Sequence, residues 1–527
     1  MRLKSSLVRI ALLMAADVPL IFAGDQPQWG EPWSRNMVSN EKHLPDSFDP
    51  KTGRNIKWVV KLGSQAHSTP VVAGGRVFIG TNNEEPRDPR HRGDRGVFMC
   101  LDEKTGALLW QLVVPKRDED AYMDWPRMGM SSEATVEGER VYLVDNRGAV
   151  LCLDANGLAN GNDGPFHDEA AYLTPSATNA TPRQQVGAET HPETLRPPPD
   201  GKLIEPGALD ADIIWKFDLV ADAGIWPHDA AHSSILIHGN HLYLNTANGV
   251  DNTHKRIRAP NAPSLVVLDK RTGEWIGRDD EHIGPNVFHN GWSSPSLGKV
   301  NGRELIFFCG GNGVVYAFEP LPELQVAATS PSRLKKVFQF DFDPAAPKTD
   351  VHKFNGNRRD GPSNLYGMPV FYRNRLFVAG GGDLWWGKNV AWLKCIDARR
   401  TGNITTNGLV WSYPLEKHVL ATPAVADGLV FIADCGRRFH CVDAETGQLI
   451  WTHEIKGEVW ASPLVADGKV YLGTRSGAFY VFAAAKEKKI LAELELGDPI
   501  SATTTAANGL LYVATMTKLF AVASGIP

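Results

Sequence analysis

The chain of 527 residues is 43% hydrophobic and 22% charged, with a net charge of -5, so it has ample material for a large core. Acidic groups outnumber basic ones, so no basic face is expected for nucleic acid or anionic membrane. Its 50 glycines and 35 prolines suit a turn-rich all-β chain.

The N-terminus carries Arg2, Lys4 and Arg9, then the apolar runs Ile10–Ala16 and Leu20–Ala23. This order is that of an export signal over residues 1–23, cleaved near Ala23. No stretch reaches the roughly 18 apolar residues of a membrane span, and no cysteine follows the apolar run to carry a lipid. Residues 24–54 read as an N-terminal extension.

From Asn55 onward one unit recurs. It is plainest where Ala421–Trp451 and Ala461–Leu491 follow each other, with Thr422 and Ser462, Asp427 and Asp467, and Gly428 and Gly468 at a constant spacing. A constant spacing on this scale marks a repeat architecture. Each unit reads as four short strands. Ala424–Ala426 and Leu429–Ala433 flank the hairpin turn Asp427-Gly428; Phe439–Val442 precedes the tight turn Asp443–Gly447; Leu449–Trp451 opens the fourth strand. Second strands can be counted at Val77, Val141, Leu242, Leu305, Leu376, Leu429, Val470 and Leu511. The last unit lacks its fourth strand, whereas Asn55–Leu62 is a fourth strand with no first. The predicted fold is therefore all-β: an eight-bladed β-propeller of four-stranded antiparallel blades, the last closed by the N-terminal strand. Residues 157–210, rich in Pro, Asn, Thr and Gly, read as a loosely ordered insertion.

Four of the six cysteines, Cys100, Cys152, Cys395 and Cys441, share one repeat position, too far apart to bridge, and read as small core residues. Without a C-x-x-C-H motif, covalent haem is not expected.

The D-x-x-T-G-x-x-x-W signature at Asp102–Trp110 and Asp443–Trp451, with Trp58 and Trp411 in equivalent places, resembles the PQQ-like (pyrroloquinoline quinone) propeller repeat family over about residues 55–523. The resemblance implies tryptophans that dock neighbouring blades. It spans quinoprotein dehydrogenases, an outer-membrane assembly scaffold and exported proteins of unassigned activity.

Strand parity places the long loops on one face, concentrated in blades three to five and offset from the ring's axis. That face carries the candidate ligand-binding residues His228, Asp229, His232, Asn248, Asp251, His254, His289, Trp292, Arg358, Arg359, Asp383, Trp385 and Trp386. The adjacent tryptophans suit a stacking platform. Arg358 and Arg359 could take an anion, whereas Asp229 and Asp251 could equally brace their loops. On a loop, the spacing of His228 and His232 does not put them on one helical face, so no metal is assigned. The expected role is a rigid, monomeric binding platform for a small molecule, glycan or protein partner, periplasmic or secreted, with no cofactor.

Two alternatives follow from the resemblance. A quinoprotein alcohol or sugar dehydrogenase would hold PQQ and calcium, with Asn248 as calcium ligand and Asp229 as base. The Asp segment, however, precedes the Asn loop; the expected place holds Phe288-His-Asn290, and the vicinal cysteine pair of that class is absent. A periplasmic assembly scaffold, resembling the outer-membrane β-barrel assembly lipoprotein, is the other; this sequence lacks that protein's lipidation cysteine. No catalytic residue is assigned.

Overall fold

A computed structural model describes residues 24–117, 125–175, 202–229, 233–251, 253–323 and 330–526. Eight antiparallel sheets form the blades. The first strand of each lies innermost: Val71–Ala73, Thr135–Glu137, Leu236–His238, Ser296–Val300, Val370–Tyr372, Ala424–Ala426, Leu464–Ala466 and Thr505–Ala507 in blades 1 to 8. Ile56–Lys61 pairs antiparallel with Lys518–Val522 and completes the eighth blade, as the missing strand predicted. The described part contains no helix long and apolar enough to cross a membrane.

The turn signature works through a carboxylate and a glycine. Asp102 Oδ1 accepts hydrogen bonds from the Thr105 amide and hydroxyl at 2.9 and 2.7 Å, and Gly106 takes φ 74°. A Cβ on Gly106 would lie 2.9 Å from the Trp58 ring of the neighbouring blade. Trp58 donates its indole N–H to Glu103 O at 3.0 Å; Trp110, Trp215, Trp411 and Trp451 do the same to Ala155, Lys270, Ala444 and Ala485. The tryptophans therefore dock blade on blade through one stacking contact and one hydrogen bond. All six cysteines are free and buried.

The innermost strands are sheet edges facing the axis, and the extension 24–54 covers them. Val72 N–H donates to Gln26 O, Val136 to Pro27 O, Leu297 to Trp33 O, Phe371 to Ser34 O and Val465 to Met37 O, at 2.7–3.1 Å. Val38–Ser39 adds a parallel strand to blade 7, and Asn36 bonds Val425 of blade 6 through its side chain at 2.8 Å in both directions. Arg35 is fully buried and donates to Pro295 O, Trp29 O, Ser234 Oγ and Ser234 O. The extension thus plugs the ring from one side and satisfies backbone groups that would otherwise face an open channel.

Above this plug a second device closes the ring. A hydroxyl or carboxylate near the start of each innermost strand bonds the next blade: Thr69 N to Glu133 Oε1, Ser233 N to Ser132 Oγ, Ser234 N to Ser294 Oγ, Ser293 Oγ to Gly367 O, Met368 N to Thr422 Oγ1, Thr422 N to Ser462 Oγ, Ser462 N to Thr503 Oγ1, and Thr503 N to Thr69 Oγ1. The cycle passes through every blade interface. Of the 157–210 stretch, the described flanks include the short helix Glu169–Leu173, whose Leu173 packs into the core between blades 1 and 2.

Candidate functional site

The plug turns the axial channel into a cavity open on the long-loop face. It holds about 370 Å³, at the lower end of the range for small-molecule sites. One repeat position supplies much of its wall. The residue two before the blade-linking group is His67, Trp292, Tyr366, Leu420, Trp460 or Ser501 in six of the blades, and all six line the cavity. Blades 6 to 8 therefore take part, and the site lies on the axis. The expectation of an offset site is corrected: it weighed loop length, whereas much of the wall comes from short segments that begin six of the eight innermost strands.

Trp29 of the plug and Trp125, Trp385 and Trp386 of the loops join Trp292 and Trp460, so six indoles surround the space. Three of them form a connected run. Trp385 meets Trp292 edge-on at 5.6 Å between ring centroids and Trp460 at 5.9 Å, while Trp292 lies 4.9 Å from Tyr366. The indole N–H of Trp460 is buried and finds no acceptor among the described residues.

The loop bearing Trp385 and Trp386 is folded by Asp383. Its Oδ1 accepts the amides of both tryptophans, at 3.0 and 2.5 Å, and the Gly387 amide donates back to Asp383 O. A Cβ on Gly387 would come within 2.4 Å of the Asp383 nitrogen, so only glycine closes this turn. The other oxygen, Oδ2, lies 3.0 Å from His289 Nδ1 and accepts the Tyr366 hydroxyl. Asp383 is wholly buried. Burial opposes its charge, yet His289 and these donors hold its pKa below the ordinary carboxylate value.

Three loops are stitched together around His289. His228 N–H donates to Ala247 O, Gly249 to Trp226 O and Val250 to His289 O. A Cβ on Gly249 would stand 2.7 Å from His289 O and 2.8 Å from His228 Cβ, so this glycine permits the close approach. The result brings His228, His254 and His289 together, with ring nitrogens within 4.8 Å of one another. His228 Nε2 is 3.1 Å from His289 Nε2, and Asp229 Oδ2 is 3.3 Å from the first and 3.8 Å from the second. Asp229 and His254 both adopt positive φ, 58° and 54°, a conformation held here by the packing of the loops. Burial, then the two neighbouring imidazoles, press His254 down to about 4. For His289, burial acts against the cation, but Asp383 and Asp229 overcome it and raise its pKa. In the part of the wall contributed by blade 2, burial pushes Glu133 up to about 7.

Of the residues singled out in the sequence, Asp229, His254, His289, Trp292, Trp385 and Trp386 line the cavity, and His228 and Asp383 stand directly behind it. Asn248 does not line it and donates to Ala259 O; Asp251 holds its own loop through Thr253 and Arg256. Arg358 spends its guanidinium on the carbonyls of Leu384, Trp385 and Gly387, bracing the tryptophan loop, and Arg359 is exposed. His232 lies outside the described residues, as do residues 1–23. Sequence reading missed Trp29, His67, Glu133, Tyr366 and Trp460. The shared repeat position of His67, Tyr366 and Trp460 was a usable signal; nothing in the sequence pointed to Trp29.

Eight blades, tryptophan docking and a plugged axis define a propeller with one axial, aromatic cavity. In these features the chain is similar to the PQQ-like repeat propellers. The family model described as outer membrane protein assembly factor BamB matches residues 47–160 and 391–522, on either side of the histidine-bearing loops. Among solved structures, BamB from Moraxella catarrhalis is similar at 12% identity and TM-score 0.51, covering 89% of this chain and 97% of that one. A europium-containing methanol dehydrogenase is similar at 13% identity and TM-score 0.56, covering 93% and 89%. These likenesses show the fold. No curated protein matches the sequence.

Proposed function

We propose that this is an exported binding protein whose axial cavity takes one ring-bearing, uncharged small molecule, a saccharide unit above all. The observation that carries the reading is the wall of six tryptophans around a closed-bottomed cavity. Indole faces stack on the C–H faces of sugar rings, while Thr69 and Ser501 supply hydroxyl-directed polar contacts. The basic and apolar order of residues 2–23 supports export.

The dehydrogenase reading is less well supported. PQQ is a tricarboxylate, yet among the described residues the cavity lining has two carboxyls, Glu133 and Asp229, and neither lysine nor arginine. Calcium takes six to eight oxygen ligands, whereas the donors gathered here are mainly imidazoles. A protein-partner role, as the name of the matched family model suggests, would use the same face.

Titrating tryptophan fluorescence with mono- to tetrasaccharides tests the proposal. Saturable quenching is expected, lost in Trp385→Ala at unchanged melting temperature. A response to none of the sugars, or quenching that survives in Trp385→Ala, refutes it. Quinone absorbance retained after adding PQQ and Ca²⁺ would favour the dehydrogenase instead.

A further inference from the structure

We infer that His228, Asp229, His254 and His289 form a binding site for one divalent transition-metal ion of the zinc type, set in the wall of the axial cavity. The site goes beyond the sugar-binding reading and does not depend on it.

Three features converge on these four residues. The first is spacing. Ligands of a tetrahedral zinc ion at about 2.0–2.1 Å stand about 3.3 Å from one another. The contacts among His228 Nε2, His289 Nε2 and Asp229 Oδ2 are 3.1, 3.3 and 3.8 Å, and one ring nitrogen from each of the three histidines lies within 4.8 Å of those of the other two.

The second is orientation. His289 presents Nδ1 to the buried Asp383 carboxylate, which leaves Nε2 directed at His228 and Asp229. A carboxylate behind the distal nitrogen is the arrangement that fixes the tautomer of a metal-bound histidine. Asp383 is thus a positioning residue.

The third is an unmet demand. Asp229 Oδ1 is buried and accepts no hydrogen bond from any described residue. A divalent ion would complete the coordination of this oxygen.

The donor set selects the metal. Three imidazoles and one carboxylate suit zinc, cobalt or nickel, and not the oxygen-seeking calcium or magnesium. A second grouping, Asp88, His91 and Asp210, differs in one decisive respect. Arg90 already sits between its two carboxylates, at 2.5 and 3.3 Å, and supplies the positive charge there.

Because Asp229, His254 and His289 line the cavity, a ligand entering it would meet the ion directly. A hydroxyl or carboxylate group on that ligand is the chemistry that would add to the metal.

The test uses the full chain stripped with a chelator and titrated with Co²⁺, then Zn²⁺, following the visible bands of bound cobalt and the heat of binding. One equivalent of Co²⁺ should bind and be displaced by Zn²⁺ but not by excess Ca²⁺. His254→Ala, at the half-exposed position, should keep the fold and weaken binding at least tenfold; His289→Ala should abolish it. Asp383→Asn should keep the stoichiometry and weaken affinity about 10- to 100-fold. No saturable cobalt binding, binding unchanged in folded His254→Ala, or displacement by Ca²⁺ would each overturn the inference.

Discussion

At the scale of single residues, the molecule is organised by groups that serve two neighbours at once. Asp383 folds the tryptophan turn with one oxygen and orients His289 with the other. Gly106 and Gly447 each combine positive φ with a tryptophan ring against the missing Cβ. Replacing either by valine should cost about 1–3 kcal/mol from backbone strain alone and more from the displaced indole, read as a fall in denaturation midpoint. Glu133 gives a pH prediction. Its folded pKa, about 7, lies above the ordinary glutamate value because burial disfavours the charge. The folded state therefore holds the proton more tightly, and stability should decline as pH rises from roughly 4.5 to 7. Glu133→Gln should raise the melting temperature at pH 8 relative to the parent while changing it little at pH 4.5. An identical difference at both pH values would show that the carboxyl does not titrate in the fold.

At the scale of elements, the extension and the closing strand have separable jobs. Removing residues 1–54 keeps Ile56–Lys61 and its pairing with Lys518–Val522, but strips the acceptors from the innermost strands of blades 1, 2, 4, 5 and 7. At about 0.5–1.5 kcal/mol for each backbone bond, several kcal/mol should be lost. The ring should stay closed and the protein monomeric, with the axial cavity open at both ends. Removing residues 1–62 takes the closing strand as well and exposes the edge of Lys518–Val522, so this variant should aggregate. Size-exclusion chromatography of the two truncations separates the effects; equal behaviour would mean that plug and closure are one function.

At the scale of the whole molecule, the cycle of hydroxyl and carboxylate links couples every blade to the next around the neck of the cavity. Thr422 sits in two consecutive links, accepting from Met368 N–H and donating its own amide to Ser462. Thr422→Val retains the shape but leaves the Met368 amide buried without an acceptor, which should cost about 1–3 kcal/mol. Because the links share one ring, the loss should lower a single cooperative unfolding transition. A separate early transition confined to blades 5 and 6 would argue that the blades respond individually.

The number of blades, their strands, the closing strand and the docking tryptophans were legible in the chain, because each depends on local spacing repeated many times. Turn chemistry at Asp102–Gly106 and Asp443–Gly447 is written within five residues, so it could be read directly. The long-loop face was legible too, since strand parity fixes it. What only the tertiary structure decided is what meets at the axis. The extension 24–54 carries no repeat, and its path is set by unpaired strand edges that exist only once the ring has formed. His228, His254 and His289 come from three loops, and nothing in their sequence spacing encodes their contact. Their approach depends on Gly249 and on the buried Asp383, 94 residues beyond His289, which packing alone brings within reach.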